Sequence, residues 1–137
     1  MKSDALKDRT KKFALRIITL VGALPKTTSG RAVANQLVRS GTSVGANYRA
    51  ACRARSRAEF IARIGTVEEE ADETAFWLEL IIDGKLLPEP RIRSLLDEPN
   101  EIIAIMASSY ISAARNAKNV RANGNQRSEI SNQKSRL

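Results

Sequence analysis

The sequence predicts an all-α protein, an antiparallel up-down four-helix bundle. Apolar residues make up 42% of the 137 residues but aromatic residues only 4%, so the core must consist of small aliphatic side chains, as is typical of packed helices. Four segments carry apolar residues at helical spacing, and no segment shows the alternation of a strand. Short turns separate the four segments, which favours antiparallel neighbours. The length fits one domain.

The first predicted helix begins near Asp4, a suitable N-cap, and ends before Pro25, because a helix usually stops before proline. Its apolar positions recur at spacings of seven, four, three and four, which indicates one buried face. They are Leu6, Phe13, Ile17, Leu20 and Leu24.

The second predicted helix starts after the turn at Pro25, with Thr28 or Ser29 as its N-cap, and runs to about Arg55. Glycine in a helix costs about 1 kcal/mol relative to alanine, so Gly41 and Gly45 predict the close approach of another backbone. The apolar positions of this helix are Val33, Leu37, Val44, Tyr48 and Ala51. Beside them, Arg39, Ser43 and Asn47 form a polar stripe that needs hydrogen-bonding partners.

The third predicted helix begins at a capping box, in which the Ser56 hydroxyl and the Glu59 carboxylate serve opposite backbone N–H groups. It ends with Gly84 in the C′ position. Trp77 lies beside the apolar seam, at the edge of the core or at a subunit interface. The seam consists of Phe60, Ile64, Val67, Ala71, Ala75, Leu78 and Ile81.

The fourth predicted helix contains Pro99, yet its apolar phase continues across the proline. We therefore expect one kinked helix, with a separate helix starting at Pro99 as the alternative. Its apolar positions are Ile92, Leu95, Ile102, Met106, Tyr110 and Ala113. Residues 119–137 have almost no apolar content and predict a disordered basic tail, so the predicted bundle spans residues 1–118.

Charge is unevenly distributed along the chain, whose net charge is +8. Residues 1–63 carry a net charge of +11, residues 64–101 a net of −8, and residues 102–137 a net of +5. One interpretation is charge complementarity between helices, within or between subunits. The other, which we favour, is a basic surface that binds nucleic acid.

Arginines at one end of the second helix are the candidate phosphate ligands. Arg49, Arg53 and Arg57 are spaced by four and would share one face of a continuing helix. Arg55, Lys11, Lys12 and Arg16 are added to this candidate nucleic-acid-binding set. The alternative is that these cations stabilise a helix C-terminus or pair with the acidic third helix. Because aromatic residues are scarce nearby, the pattern favours recognition of backbone or shape over base stacking.

The composition argues against an enzyme. Without histidine the chain lacks the usual general base, and with one cysteine it also lacks a zinc ligand set. The acidic run, residues 68–73, offers Glu69 with Glu73, or Glu68 with Asp72, as a Mg²⁺ pair, but ion pairs with Arg39, Arg49 and Arg53 are favoured. We expect no catalytic residue, metal or cofactor.

The remaining features predict a cytoplasmic protein. The lone Cys52 excludes an intrachain disulfide and suits a reducing compartment. No apolar run reaches the length of a membrane span, and the N-terminus lacks the apolar stretch of a secretory signal.

The run from Gln36 to Asn47, followed by Ser56 and Glu59-Phe60, resembles a small bacterial four-helix-bundle family. That family is typified by proteins encoded in intervening sequences of large-subunit ribosomal RNA genes. The chain is also similar to accessory variability determinant proteins of diversity-generating retroelements. The resemblance covers roughly residues 5–118. Its structural motif residues are Gln36, Arg39, Ser40, Ser43, Asn47 and Glu59.

This resemblance implies a non-enzymatic homopentamer. It also implies nucleic-acid binding through Arg49, Arg53, Arg55 and Arg57, and assistance to a reverse transcriptase. The chain has Ala50, Ala51 and Cys52 where many members carry an acidic residue, so a role of that carboxylate is not expected here. The alternative function is a structural adaptor that binds a protein partner, with charges neutralised between subunits.

Overall fold

The computed structural model describes residues 2–135 of the chain. Within them the backbone is all-helical, with α1 at Lys2–Ala23, α2 at Thr28–Cys52, α3 at Arg57–Asp83 and α4 at Glu89–Ser135. Helix α1 packs on α2, α2 on α3, and α3 on α4, whereas α1 and α4 meet at only a few points. The all-α prediction is confirmed, and four helices in this order agree with the predicted bundle.

The starts of α2 and α3 are each set by a capping side chain. The N-cap of α2 is Thr27, one residue before the nearer of the two predicted positions, Thr28 and Ser29, and its Oγ1 accepts from the Gly30 N–H at 3.1 Å. At α3 the Ser56 hydroxyl accepts from the Glu59 N–H at 3.1 Å, as predicted. The Glu59 carboxylate returns to the Arg55 N–H at 2.9 Å, one residue before the expected N-cap donor.

The end of α3 differs from the prediction. Gly84 is not the left-handed residue, since its φ is −80°; that conformation falls on Lys85, with a φ of 54°. Two hydrogen bonds close the turn, from Leu86 N–H to the Ile81 carbonyl at 2.9 Å and from Lys85 N–H to the Ile82 carbonyl at 3.0 Å. These are the two bonds of a Schellman motif, which places Lys85 at C′ and Gly84 at the C-cap.

Helix α4 runs without interruption through Pro99, so the alternative of a separate helix starting there is wrong. The predicted apolar positions of this helix are buried from Ile92 to Met106, but Tyr110 is 45% exposed and Ala113 is half-buried. Ser109 and Ser112 of α4 share an opening with Ser3 of α1 and Ala54 of the α2–α3 turn. The start of α1 and the end of α2 therefore lie beside residues 109–112 of α4, and the apolar seam of α4 continues beyond the packed core.

The predicted core is confirmed almost entirely. All five apolar positions predicted for the first helix are buried, including Leu24 just after α1, and the seams of α2 and α3 are buried except for Val33 and Phe60, which pack against the core half-exposed. Val33 and Phe60 each stand at the first position of their seams, where fewer neighbours surround a side chain.

Gly41 and Gly45, two of the three glycines of α2, face α1; another backbone lies close to Gly45, as predicted, whereas the neighbour of Gly41 is a side chain. A Cβ on Gly45 would lie 3.4 Å from the backbone carbonyl of Thr10, and one on Gly41 would lie 2.9 Å from Ile17. Position 41 thus faces 17 and position 45 faces 10, so α1 and α2 run antiparallel.

Beyond Lys118 the helix of α4 continues to Ser135, although the sequence predicts a disordered tail from residue 119. Asn, Gln, Arg and Lys are weak to good helix formers, so a helix that is already nucleated can propagate through them. Residues 119–125 are all exposed and add nothing to the core. The division of the chain at residue 118 stays a prediction.

Candidate nucleic-acid interface

The turn between α2 and α3 gathers four arginines around one opening. Arg49 and Arg53 come from the end of α2, Arg55 from the turn, and Arg63 from the second turn of α3. They line a cleft of about 610 Å³ together with Glu59, Ala46 and Ala50. Ala46 and Ala50 contribute only methyl groups to this lining, so they occupy little of the space between the charged side chains.

A second hollow extends this basic surface onto α1. It measures about 280 Å³ and is lined by Lys7, Asp8, Lys11, Arg49 and Arg53. The two hollows share Arg49 and Arg53, so they form one surface that crosses from α1 over α2 to α3. We call this surface the basic cleft. Its cations are Lys7, Lys11, Arg49, Arg53, Arg55 and Arg63.

The cations of the basic cleft are almost unneutralised. Among the side chains that the structure describes, those of residues 3–125 apart from 114 and 117, the only ion pair that any of these cations makes is that of Lys7 with Asp4, at 4.0 Å. The expected pairing of Arg49 and Arg53 with the acidic third helix is therefore not found within a single chain, where Arg39 alone among the described cations pairs with the acidic run. These residues lie at the end of α2 nearest the turn, whereas the acidic run begins more than two helical turns further along α3. Free guanidinium groups are suited to hold phosphate oxygens, often two at a time.

Three predicted cations lie outside the cleft. Arg16 donates to the Ser94 hydroxyl of α4 at 3.2 Å, so it faces away from α2. Lys12 pairs with Asp8 at 2.8 Å, and this hydrogen bond raises the pKa of the Lys12 ammonium group. Arg57 is exposed at the first position of α3 and is not among the residues that line the cleft.

Two cations of the cleft were missed by the sequence reasoning. Lys7 precedes Lys11 by four residues, so the helical spacing applied to the arginines would have found it. Arg63 comes close to Arg49 only because the chain reverses direction at the α2–α3 turn. The spacing of residues along one helix does not predict this proximity.

The motif residue Arg39 joins α2 to α3 away from the cleft. Its guanidinium group forms ion pairs with Glu73 and, at 3.7 Å, with Glu70, and it donates to the Gln36 side chain at 3.3 Å. The Trp77 indole N–H also donates to Glu73, at 3.3 Å. The acidic run thus receives one of its three expected arginine partners.

The remaining motif residues serve helix packing and local hydrogen bonds. The buried hydroxyls of Ser40 and Thr74 lie 3.0 Å apart across the α2–α3 contact. Ser43 donates to the Arg39 carbonyl at 2.7 Å, and Asn47 donates to the Ser43 carbonyl at 2.8 Å. The polar stripe therefore finds most of its partners within α2 itself.

Two buried groups have altered acidity. Burial raises the pKa of the Tyr48 phenol well above its usual range, and a hydrogen bond to Cys52 adds to the shift. Burial also raises the pKa of the Glu70 carboxyl, with a further contribution from the charge of Glu73. The buried Oε2 of Glu70 receives no hydrogen bond from the described residues.

The lining of the cleft is rich in cations but offers no group for stacking bases. No aromatic side chain is among its lining residues. In the described part of the chain no three acidic, cysteine or histidine side chains come together as a metal site. Nor does any helix there have the length and apolarity needed to cross a membrane.

Both the sequence and the fold of this chain are similar to those of known proteins. The sequence model of the family described as "23S rRNA-intervening sequence protein" matches residues 4–108. A solved structure from Bacteroides thetaiotaomicron, a protein of unknown function from the S23 ribosomal protein family, is similar at 36% identity with a TM-score of 0.72. That match covers 76% of this chain and 96% of the other. No curated protein matches the chain.

Proposed function

Because the chain belongs to the 23S rRNA-intervening sequence protein family, we propose that it is a non-enzymatic bundle protein that binds nucleic acid through the basic cleft. The observation that carries this proposal is the gathering of four arginines around one opening without an ion pair among the described residues. Six cations face two carboxylates, Asp8 and Glu59, in the lining of this cleft, so an excess of positive charge remains to attract phosphate.

The lining of the cleft supports recognition of the sugar–phosphate backbone. Guanidinium and ammonium groups contact phosphates, whereas sequence-tolerant binding of single strands depends on aromatic stacking, which this lining lacks. We therefore propose that binding depends on charge and shape more than on base sequence.

We further propose, on the sequence resemblance of the run from Gln36 to Asn47 alone, that the chain is related to accessory variability determinant proteins, and two further parts of the proposal follow from that relation. The protein assembles as a homopentamer, and it assists a nucleic-acid enzyme such as a reverse transcriptase. Assembly would bring several basic clefts together, which raises the affinity for a long polyanion through effective concentration.

The test is a salt titration of binding to fluorescent RNA and duplex DNA. We expect affinity to fall steeply with salt for the wild type, and Arg53→Ala to weaken binding and to reduce the salt slope by about one unit. The control is Arg31→Ala, an exposed arginine near the start of α2 and therefore at the other end of the bundle. Equal affinities for Arg53→Ala, Arg31→Ala and the wild type would refute the proposal.

The second candidate function is an adaptor for a protein partner, and the exposed face of α3 supports it. Phe76 and Leu80 are exposed there among carboxylates, which repel nucleic acid. An assembly that stays intact but binds neither RNA nor DNA at low salt would favour this second function.

A further inference from the structure

Helix α3 presents an exposed apolar face with an acidic border. Phe76 is 50% exposed and Leu80 is 37% exposed, and their spacing of four places them on one side of the helix. Asp72, Glu79 and Asp83 are exposed beside them, and none of these three carboxylates makes an ion pair with a side chain that the structure describes. We call these five residues the α3 face.

The Phe76 ring is held in place from within its own helix. It meets the half-buried Trp77 ring edge-on, with ring centroids 5.1 Å apart, while Trp77 is anchored by its hydrogen bond to Glu73. An aromatic side chain that is already ordered loses little conformational freedom when a partner covers it.

A groove of matching character lies between α1 and α4. These two helices meet at few points and leave an opening of about 360 Å³ whose apolar lining is Leu15, Leu20 and Leu95. Leu15 is 55% exposed. Arg16 and Arg91 line the same opening, and neither forms an ion pair with a described residue. We call this opening the α1–α4 groove.

We infer that the α3 face of one copy docks into the α1–α4 groove of another copy. Two exposed apolar side chains bordered by carboxylates meet an apolar opening bordered by guanidinium groups, so burial and charge favour the same pairing. Nucleic acid is a poor occupant of the α3 face because its phosphates would meet Asp72, Glu79 and Asp83. The chain itself supplies the complementary surface.

The contact joins two different surfaces, so it is heterologous. Each docked pair retains one free α3 face and one free groove, and further copies add until a ring closes. Neither surface includes an arginine of the basic cleft, so the docking does not make use of those arginines. The inference rests on the self-assembly part of the proposed function and names the surfaces that carry it.

The experiment uses two variants of the full-length protein, each with one surface disabled. Phe76→Ser with Leu80→Ser removes the α3 face, and Leu15→Ser with Arg91→Glu removes the groove. The control is Ile111→Ser, which replaces an apolar side chain of α4 that is 55% exposed and belongs to neither surface. Masses are measured by light scattering in the absence of nucleic acid, and circular dichroism verifies that each variant is folded.

We expect the wild type and the control to be oligomers and each disabled variant to be a monomer. An equal mixture of the two disabled variants should then form a dimer and nothing larger, because it contains one intact surface of each kind. A mixture that remains monomeric would overturn the inference, and so would disabled variants that still assemble. A monomeric wild type would overturn the self-assembly proposal as well, whereas loss of nucleic-acid binding alone would affect only the basic cleft.

Discussion

At the scale of single residues, Glu70 shows the effect of one arginine serving two carboxylates. Its partner Arg39 lies 3.7 Å away and also pairs with Glu73, while one oxygen of Glu70 is buried without a hydrogen-bond donor among the described residues. Burial and the neighbouring carboxylate outweigh the arginine, so the pKa of Glu70 is raised. A charged Glu70 therefore costs the folded state free energy.

The pH dependence of this cost can be measured. A raised pKa means that the folded state binds the Glu70 proton more readily than the unfolded state. This residue's contribution to stability therefore falls as the pH rises from the ordinary pKa of glutamate through the raised pKa of the folded state. We expect Glu70→Gln to increase the free energy of unfolding in urea at pH 7 and to have little effect at about pH 3, well below the ordinary pKa of glutamate, where the carboxyl is protonated in both states.

Asp97→Asn is the control for that experiment. Asp97 is an exposed carboxylate of α4 that takes no part in the pKa shift of Glu70, and exposed substitutions usually change stability by less than about 0.5 kcal/mol. Destabilisation by Glu70→Gln at pH 7 would show that the ion pair with Arg39 outweighs the cost of burial.

At the scale of helices, the contact between α1 and α2 depends on residues without side chains. A Cβ at Gly41 would approach two carbons of the fully buried Ile17 to 2.9 Å, a separation that real structures do not tolerate without movement. At Gly65 in α3, by contrast, nothing lies within 4 Å of an added Cβ.

The two glycines should therefore respond in opposite directions. We expect Gly41→Ala to lower the free energy of unfolding by about 1–3 kcal/mol, through overpacking of the core. Gly65→Ala should raise it by up to about 1 kcal/mol through helix propensity. Chemical denaturation of both variants provides the comparison. A stabilising Gly41→Ala would mean that α1 can move away from α2 at little cost.

The helices were predictable because each buries one continuous face, and the period of apolar residues records that face. The backbone conformation and the burial of residues at the helix ends could not be predicted in this way. Lys85 adopts the left-handed conformation next to a glycine, since the Schellman hydrogen bonds set the position of that residue. Tyr110 keeps the apolar phase of α4 but is exposed, because its burial depends on where the other helices stop.

At the scale of the whole molecule, the candidate site was predictable only in part. Arg49, Arg53 and Arg55 were found because they are close in sequence, and the structure gathers them around one cleft. Arg63 joins them through the chain reversal, whereas Arg16 turns to α4. Helical spacing shows which residues share a face, but it does not show which neighbouring helix that face meets.

The division of the molecule at Lys118 has a direct test. Because residues 119–125 are exposed, we expect a chain that ends at Lys118 to unfold with a free energy within about 0.5 kcal/mol of the full-length value. Chemical denaturation of the two chains measures the difference. A loss of several kcal/mol would place part of the core beyond Lys118.

The length of α4 affects how the molecule moves through solvent. Helix α4 has 47 residues and α1 has 22, so at 1.5 Å per residue they measure about 70 Å and about 33 Å. A rod that extends past a small bundle increases hydrodynamic drag without adding much mass. In gel filtration a single copy would elute ahead of a compact sphere of 15.1 kDa and could pass for a dimer. Subunit counts for this protein therefore require a method that reports mass independently of shape.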